Sequence, residues 1–404
     1  MKGKTFKTQN VFVCLSVITL VTVTLAILIS NGHLFQVFFF TDAQDTGMDF
    51  FNQLVAVHTK NPYTEFKNLY PPLANLFFYL LQLFIPDSIK ATWPHSHQDT
   101  IAMVGTINDL RLTQSALLVF LFYTMISLVC IFYLCNSILK SPGTALCVTL
   151  TSGIFSAVER GNVILIAFIC LLYYIKNYQS ENKVKKELAL LALAASFGFK
   201  LYPAIFGILL LKNKDFYGAF RAALYGILLT ILPLLFFGGF EGVSNWFDVL
   251  MYRSGIDGHA VSTSTASESF SFILHYIIIA ICIILVIIDF IPFKNNKMFI
   301  FHSERLFLIT TIMLLLVHGT KDFYLAYYII PMLFLFKEES KITLSTIPEF
   351  ASYMLLLLPL GINRLSHTVI FLFGIGIIIR RLINNNNQLI KTILSDNKNK
   401  EQIE

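Results

Sequence analysis

The chain has 404 residues, is 56% hydrophobic and 13% charged, and carries 39 Phe; its mean hydropathy is +0.69. A water-soluble domain is excluded, because no water-facing surface could hold that much apolar side chain, and an all-α polytopic membrane protein is what remains. The net charge of +6 comes without a basic stripe interleaved with aromatics, so no nucleic-acid partner is expected; the charge fits loops facing an anionic lipid leaflet.

The N-terminal MKGKTFKTQN is basic and leads into an apolar run from Val11 to Ser30. That run has about the 20 residues a helix needs to cross hydrocarbon, and no small-residue cleavage site follows. An uncleaved first span with its N-terminus inside is expected. Further long apolar runs cover 115–135, 217–239 and 271–293. Shorter ones cover 72–86, 144–158, 161–175, 188–211, 305–317, 324–336, 347–361 and 367–379. The short ones must be tilted, broken or re-entrant. The expectation is a bundle of 10–12 transmembrane or re-entrant helices over 1–383 and a polar cytosolic tail over 384–404.

The loop 31–71 carries three acids, Asp42, Asp45 and Asp49, just after the first span. Apolar residues at helical spacing in "FFNQLVAVHTKNPY" predict an amphipathic helix in the membrane interface, with Asp49 in its first turn. Any one of these acids could cap that helix. One helix start needs only one cap, however. "NLYPPL" then starts the next helix, proline being suited to a first turn.

Two later runs are interrupted. "VERGN" puts Glu159 and Arg160 between apolar stretches, either as a neutral pair or as a cation waiting for an anionic group. "GFKLYP" puts Lys200 before Tyr202, either as a snorkelling lysine or as an anion ligand. "HGTKDF" clusters His318, Lys321 and Asp322. The 240–270 loop is Ser/Thr-rich and fits a lid or an ordinary loop.

Basic residues orient the chain. With 1–10, 87–112, 176–187, 212–221, 294–305, 337–349 and 380–404 inside, most of the 30 Lys and Arg lie inside. The first loop, "ERGN", "FKLYP", the 240–270 loop and "HGTKDF" then gather on the outer face. The six cysteines sit in apolar runs without metal-ligand spacing, so neither a disulfide framework nor a metal is expected. No cofactor is implied.

The order "MDFFNQLVAVHTKNPY", "YPPL", "ERGN", "FKLYP", "HGTKDFYLAYYIIP" resembles the GT-C superfamily of integral-membrane glycosyltransferases. Within it, the polyprenol-phosphate-sugar-dependent, mannosyltransferase-like branch related to mycobacterial enzymes is the nearest. The resemblance spans residues 1 to about 335 and rests on motif order; where this chain reads "RGN" the family often has "GQ" with a nearby Asn. It implies transfer of a sugar from a polyprenyl-phosphate donor to a glycan or glycolipid acceptor outside the membrane, with inversion. A first-loop carboxylate would be general base: Asp49 first, then Asp45, then Asp42. Arg160, Lys200, His318 and Lys321 would meet the donor phosphate, and Tyr70, Asn162, Tyr202 and Asp322 would line the pocket. The other reading weighed is a transporter or flippase of lipid-linked saccharides, disfavoured because no internal repeat is visible. The Asn-, Lys-, Ile- and Phe-rich composition points to an AT-rich bacterial genome, hence a multi-pass bacterial cell-membrane enzyme acting on a cell-envelope polymer or glycolipid.

Overall fold

The computed structural model describes residues 7–40, 43–59, 61–94, 97–254, 276–287, 302–316, 322–338 and 347–357, together with Gly376 and Arg380. Asp42, His318, Lys321, residues 255–270, the 367–379 run apart from Gly376, and the 384–404 tail lie outside the described residues; the earlier part of the expected 240–270 loop is helical.

The chain is an all-α polytopic membrane protein. Its helices are α1 (Thr8–Ile29), α2 (His33–Phe39), α3 (Met48–Ala56), α4 (Pro62–Glu65), α5 (Pro72–Gln82), α6 (Asp87–Lys90) and α7 (His97–Met103). Then follow α8 (Gln114–Leu139), α9 (Pro142–Thr149), α10 (Ser152–Arg160), α11 (Ile164–Asn177), α12 (Lys183–Phe199), α13 (Ile208–Lys212), α14 (Phe216–Leu234) and α15 (Gly239–Ser254). The last four are α16 (Tyr276–Ile287), α17 (His302–Leu316), α18 (Ile329–Glu338) and α19 (Ile347–Met354). Prolines open α4, α5 and α9 at first-turn positions, where the missing N–H costs nothing. Asn182 and Asp215 cap α12 and α14 through backbone N–H groups.

Among the described residues three helices, α1, α8 and α14, are long and apolar enough to cross a membrane. They turn large side chains outwards: Val17, Ile18 and Leu25 on α1, Phe122 and Met125 on α8, Phe220 and Ile227 on α14. In water such a surface would drive aggregation; in hydrocarbon it is the solvated face. The interior is built from α10, α11, α17, α18 and the 3-10 segment Asp322–Tyr328, with Phe168, Leu172, Tyr327, Ile330 and Leu333 fully buried.

Both interrupted runs break where charge and glycine sit. Helix α10 ends on Gly161, whose φ of +64° is the left-handed cap that glycine accepts without strain. Helix α12 ends at Lys200, in extended backbone, and a 3-10 turn from Tyr202 to Gly207 leads into α13. These breaks let α9 and α10 together, and α12 with its return, occupy the bundle as the apolar lengths require.

One assignment is corrected. The charge reading groups 87–112 with the inner segments, but the structure puts it beside the first loop. Arg111 donates to the carbonyls of Gln44 at 3.2 Å and Thr46 at 3.1 Å, and the rings of His58 and Trp93 meet at 5.5 Å. The reason is length: α5 has 11 residues, about 16 Å, roughly half of the hydrocarbon thickness. At that length it is too short to cross. Helix α8 therefore starts at the first-loop end and delivers Lys140 to the opposite one. There Lys176 Nζ meets Ser137 at 2.6 Å, Gln9 donates to the Phe336 carbonyl at 3.3 Å, and Lys186 pairs with Asp215 at 2.7 Å.

The expected amphipathic helix is α3. Its apolar stripe, Phe50, Phe51, Leu54 and Val55, is buried by protein: Phe50 alone contacts Phe78 of α5 and Phe120 and Tyr123 of α8.

In a background without native cysteines, single cysteines at Lys67 and Lys90 should label from the same side of the membrane. Cysteines at Lys140 and Lys183 should label from the other. Separately, a Cβ on Gly153 would meet the backbone of Ala326 at 2.4 Å, whereas one on Gly143 meets nothing within 4 Å. Gly153→Ala should cost about 1–3 kcal/mol and lower the melting temperature in detergent, while Gly143→Ala should leave it unchanged.

Candidate active site

The first loop turns sharply at Gly47, whose φ is +72°, and α3 begins one residue later. The turn is docked on the end of α10: the Gly47 N–H donates to the Glu159 carbonyl at 2.8 Å, and the Thr46 hydroxyl donates to Glu159 Oε1 at 2.6 Å. From the other side Arg111 holds the carbonyls of Gln44 and Thr46. Asp109 aims that guanidinium, receiving Arg111 Nε at 3.0 Å and Nη2 at 2.7 Å. Burial opposes the charge of Asp109, but the Arg111 guanidinium and the N–H groups of Gly105 and Arg111 outweigh it and hold its carboxyl below the usual carboxylate range.

Asp49 lies in the first turn of α3, but it does not cap it: the cap position is Gly47, with no side-chain bond. Its carboxylate instead reaches across to the end of α10. Arg160 Nη2 donates to Asp49 Oδ1 at 2.8 Å, and Arg160 Nε donates to Oδ2 at 3.3 Å. Asn162 Nδ2 donates to the same Oδ2 at 2.7 Å. The third face of the guanidinium is taken by Asp45, at 2.6 Å from Nη1. Asp45 is 52% exposed and Asp49 20% exposed, so of the two Asp49 is the one sheltered in the fold.

The alternative of a Glu159–Arg160 pair is therefore replaced. Adjacent helix residues point in different directions, and here each finds its own partner in the first loop. Arg160, expected to await a phosphate, is occupied by two carboxylates.

Asn162 is fixed from behind. Its Oδ1 accepts the Ile164 N–H at 2.9 Å and its carbonyl accepts the Tyr123 hydroxyl at 2.7 Å. With the oxygen so engaged, the amide nitrogen must face Asp49 and, at 3.3 Å, the Tyr70 hydroxyl. Lys200 completes the group: its ammonium lies 4.2 Å from the centre of the ring of Tyr70, whose hydroxyl meets the same Asn162 amide that holds Asp49. Among the described residues Lys200 makes no ion pair. Tyr202 follows in the same break and meets the rings of Tyr324 at 5.4 Å and Tyr327 at 5.7 Å. Asp322 is buried at the head of the 3-10 segment that carries those two tyrosines.

Asp45, Asp49, Tyr70, Arg160, Asn162 and Lys200 thus come together from four separate stretches, with Tyr202 and Asp322 in the adjoining tyrosine layer. Several supports have no counterpart in the sequence reading. Tyr70 is held by Asn68, which accepts its N–H at 2.9 Å; Asn68 in turn donates to Gln53 at 2.7 Å and Asn75 at 3.0 Å. Asn75 donates to Tyr63 at 3.0 Å. An asparagine inside the apolar "PPLANLFFYL" was the available signal, since a polar side chain there needs a partner. The Asp109–Arg111 pair offered a weaker one, two residues apart in a loop. Among the described residues no three His, Cys, Asp or Glu side chains gather as metal ligands.

Residues 68–321, more than half of the chain, match Glycosyltransferase family 87. No curated protein and no solved structure matches the chain. The matched stretch contains Tyr70, Arg160, Asn162, Lys200 and Tyr202; Asp45 and Asp49 precede it and join it through Arg160 and Asn162. A membrane-embedded all-α bundle that carries this match over most of its length belongs to glycosyltransferase family 87, a GT-C-type family of membrane enzymes that transfer sugars.

Proposed function

We propose that this glycosyltransferase moves a sugar from a polyprenyl-phosphate donor to a cell-envelope glycan or glycolipid, with inversion and with Asp49 as general base. The observation that carries the reading is the Asp49 carboxylate fixed by Arg160 and Asn162, with the Lys200 ammonium, which makes no ion pair among the described residues, over the ring of Tyr70 that Asn162 also reaches. A carboxylate offers about four acceptor positions. Oδ2 receives two donors and Oδ1 one, so Oδ1 keeps a free lone pair. That atom is the one suited to take a proton.

The acceptor hydroxyl attacks the anomeric carbon. Its O–H bond breaks toward Asp49 Oδ1 as the new C–O bond forms, and the bond from the anomeric carbon to the phosphate oxygen breaks. The electron pair leaves on the phosphate, where Lys200 stabilises the growing charge. Arg160 and Asn162 are positioning residues that hold the carboxylate in one orientation. The polyprenyl donor is the part of this reading that rests on the resemblance of motif order.

The distribution of charge supports an outward-facing site. The end of the bundle away from Asp49 holds Lys7, Lys140, Lys176, Lys183, Lys185, Lys186, Lys212 and Lys214. The end with the acids holds fewer cations, among them Lys67, Lys90 and Arg111, and the positive-inside rule turns that end outwards.

In lipid nanodiscs with a synthetic polyprenyl-phosphate hexose, Asp49→Asn should lower kcat about a hundredfold or more while the donor still binds. Asp45→Asn should keep most turnover. Wild-type kcat in Asp49→Asn would remove the base assignment. Lys200→Ala should lower kcat by about two orders of magnitude, with partial recovery in Lys200→Arg; an effect confined to KM would place Lys200 in binding alone.

A further inference from the structure

The end of the bundle opposite Asp49 contains a cavity of about 650 Å³. Four segments line it: Lys7, Thr8, Gln9 and Asn10 at the start of α1, Ser137 to Lys140 at the end of α8, Lys176 near the end of α11, and Phe334, Phe336 and Lys337 near the end of α18. Four lysines therefore converge on one space. Among the described residues no carboxylate lines it, and none of the four ammonium groups makes an ion pair. The floor is apolar, from Ile138, Leu139, Phe334 and Phe336.

One observation, depth, says more than surface charge. Helices α1 and α8, both long enough to span, end at this cavity, which puts it at the boundary between hydrocarbon and water. Phospholipid phosphates occupy that level. Cations near helix C-termini also complement the helix dipole. That accounts for each of Lys140, Lys176 and Lys337 singly, but not for their opening onto one cavity with Lys7.

We propose that this cavity binds a phosphate group, presented by an anionic phospholipid whose acyl chains lie along α1 and α8. The lysines meet the phosphate as point charges, and Ser137, Gln9 and Asn10 supply neutral polar groups at its rim. The site is independent of the sugar-transfer reading and lies at the other end of the molecule.

The test is native mass spectrometry of the full chain in detergent with phosphatidylglycerol or phosphatidylcholine of equal acyl length. Phosphatidylglycerol should bind preferentially, and the triple variant Lys140→Gln, Lys176→Gln, Lys337→Gln should weaken it by about a hundredfold. The charge-matched control Lys183→Gln, Lys185→Gln, Lys214→Gln should bind as wild type. The triple Lys→Arg variant at 140, 176 and 337 should keep binding, which separates lost charge from lost folding. Equal binding of the two lipids, or equal loss in the control, overturns the proposal. Displacement of the lipid by millimolar inorganic phosphate would overturn the lipid as the source and assign the cavity to the free anion.

Discussion

The Arg160 guanidinium is the tie on which the site depends. It sits half-sheltered at the last residue of α10 and takes Asp45 and Asp49 together. Without it, two carboxylates within one short loop would repel each other against a largely apolar wall. With it, the loop is drawn onto the helix end and each acid has a defined direction. The neighbouring residue repeats the tie by different chemistry, Glu159 holding Gly47 through its carbonyl and Thr46 through its carboxylate. A charge bound in this way is costly to release, because removing one partner leaves the other poorly solvated. The arrangement therefore serves geometry first, and stability only as a consequence of being complete.

Much of this was legible in the chain. Apolar length alone dictated a membrane-embedded helical fold, and the two interruptions fell at Gly161 and Lys200 because charge and glycine end apolar helices. Helical spacing in the first loop located α3 and put Asp49 in its first turn. What the sequence withheld was direction. Residue types show that Arg160 can bind an anion but not that Asp45 and Asp49 are the anions, since that pairing joins stretches more than a hundred residues apart. The same limit left a capping role open for Asp49, and only the direction of its carboxylate, toward α10, removes it.

The position of 87–112 was misread for a related reason. The positive-inside rule counts cations and assumes that each apolar run crosses. Helix α5 does not, and Arg111 proved to be a structural clamp on the Gln44 and Thr46 carbonyls rather than a topological marker. A buried polar network of Gln53, Asn68, Asn75 and Tyr63 holds the same region. Side-chain amides have no charge to count and no period to follow, so pattern reading passes over them.

Gly153 gives the fold a mechanical property. Helix α10 presses its bare backbone against Leu325 and Ala326 at one end and carries Glu159 and Arg160 at the other. It is a short rod of nine residues, with no slack at its foot and the acid loop fastened to its tip. The segment beneath it also supplies Tyr324 and Tyr327 to the layer around Tyr202. That one segment is therefore joined in two directions, through the rod to the loop that carries Asp49 and through the rings to Tyr202, two residues beyond Lys200. Acid and ammonium share one footing, so their spacing rests on a part of the chain that carries neither.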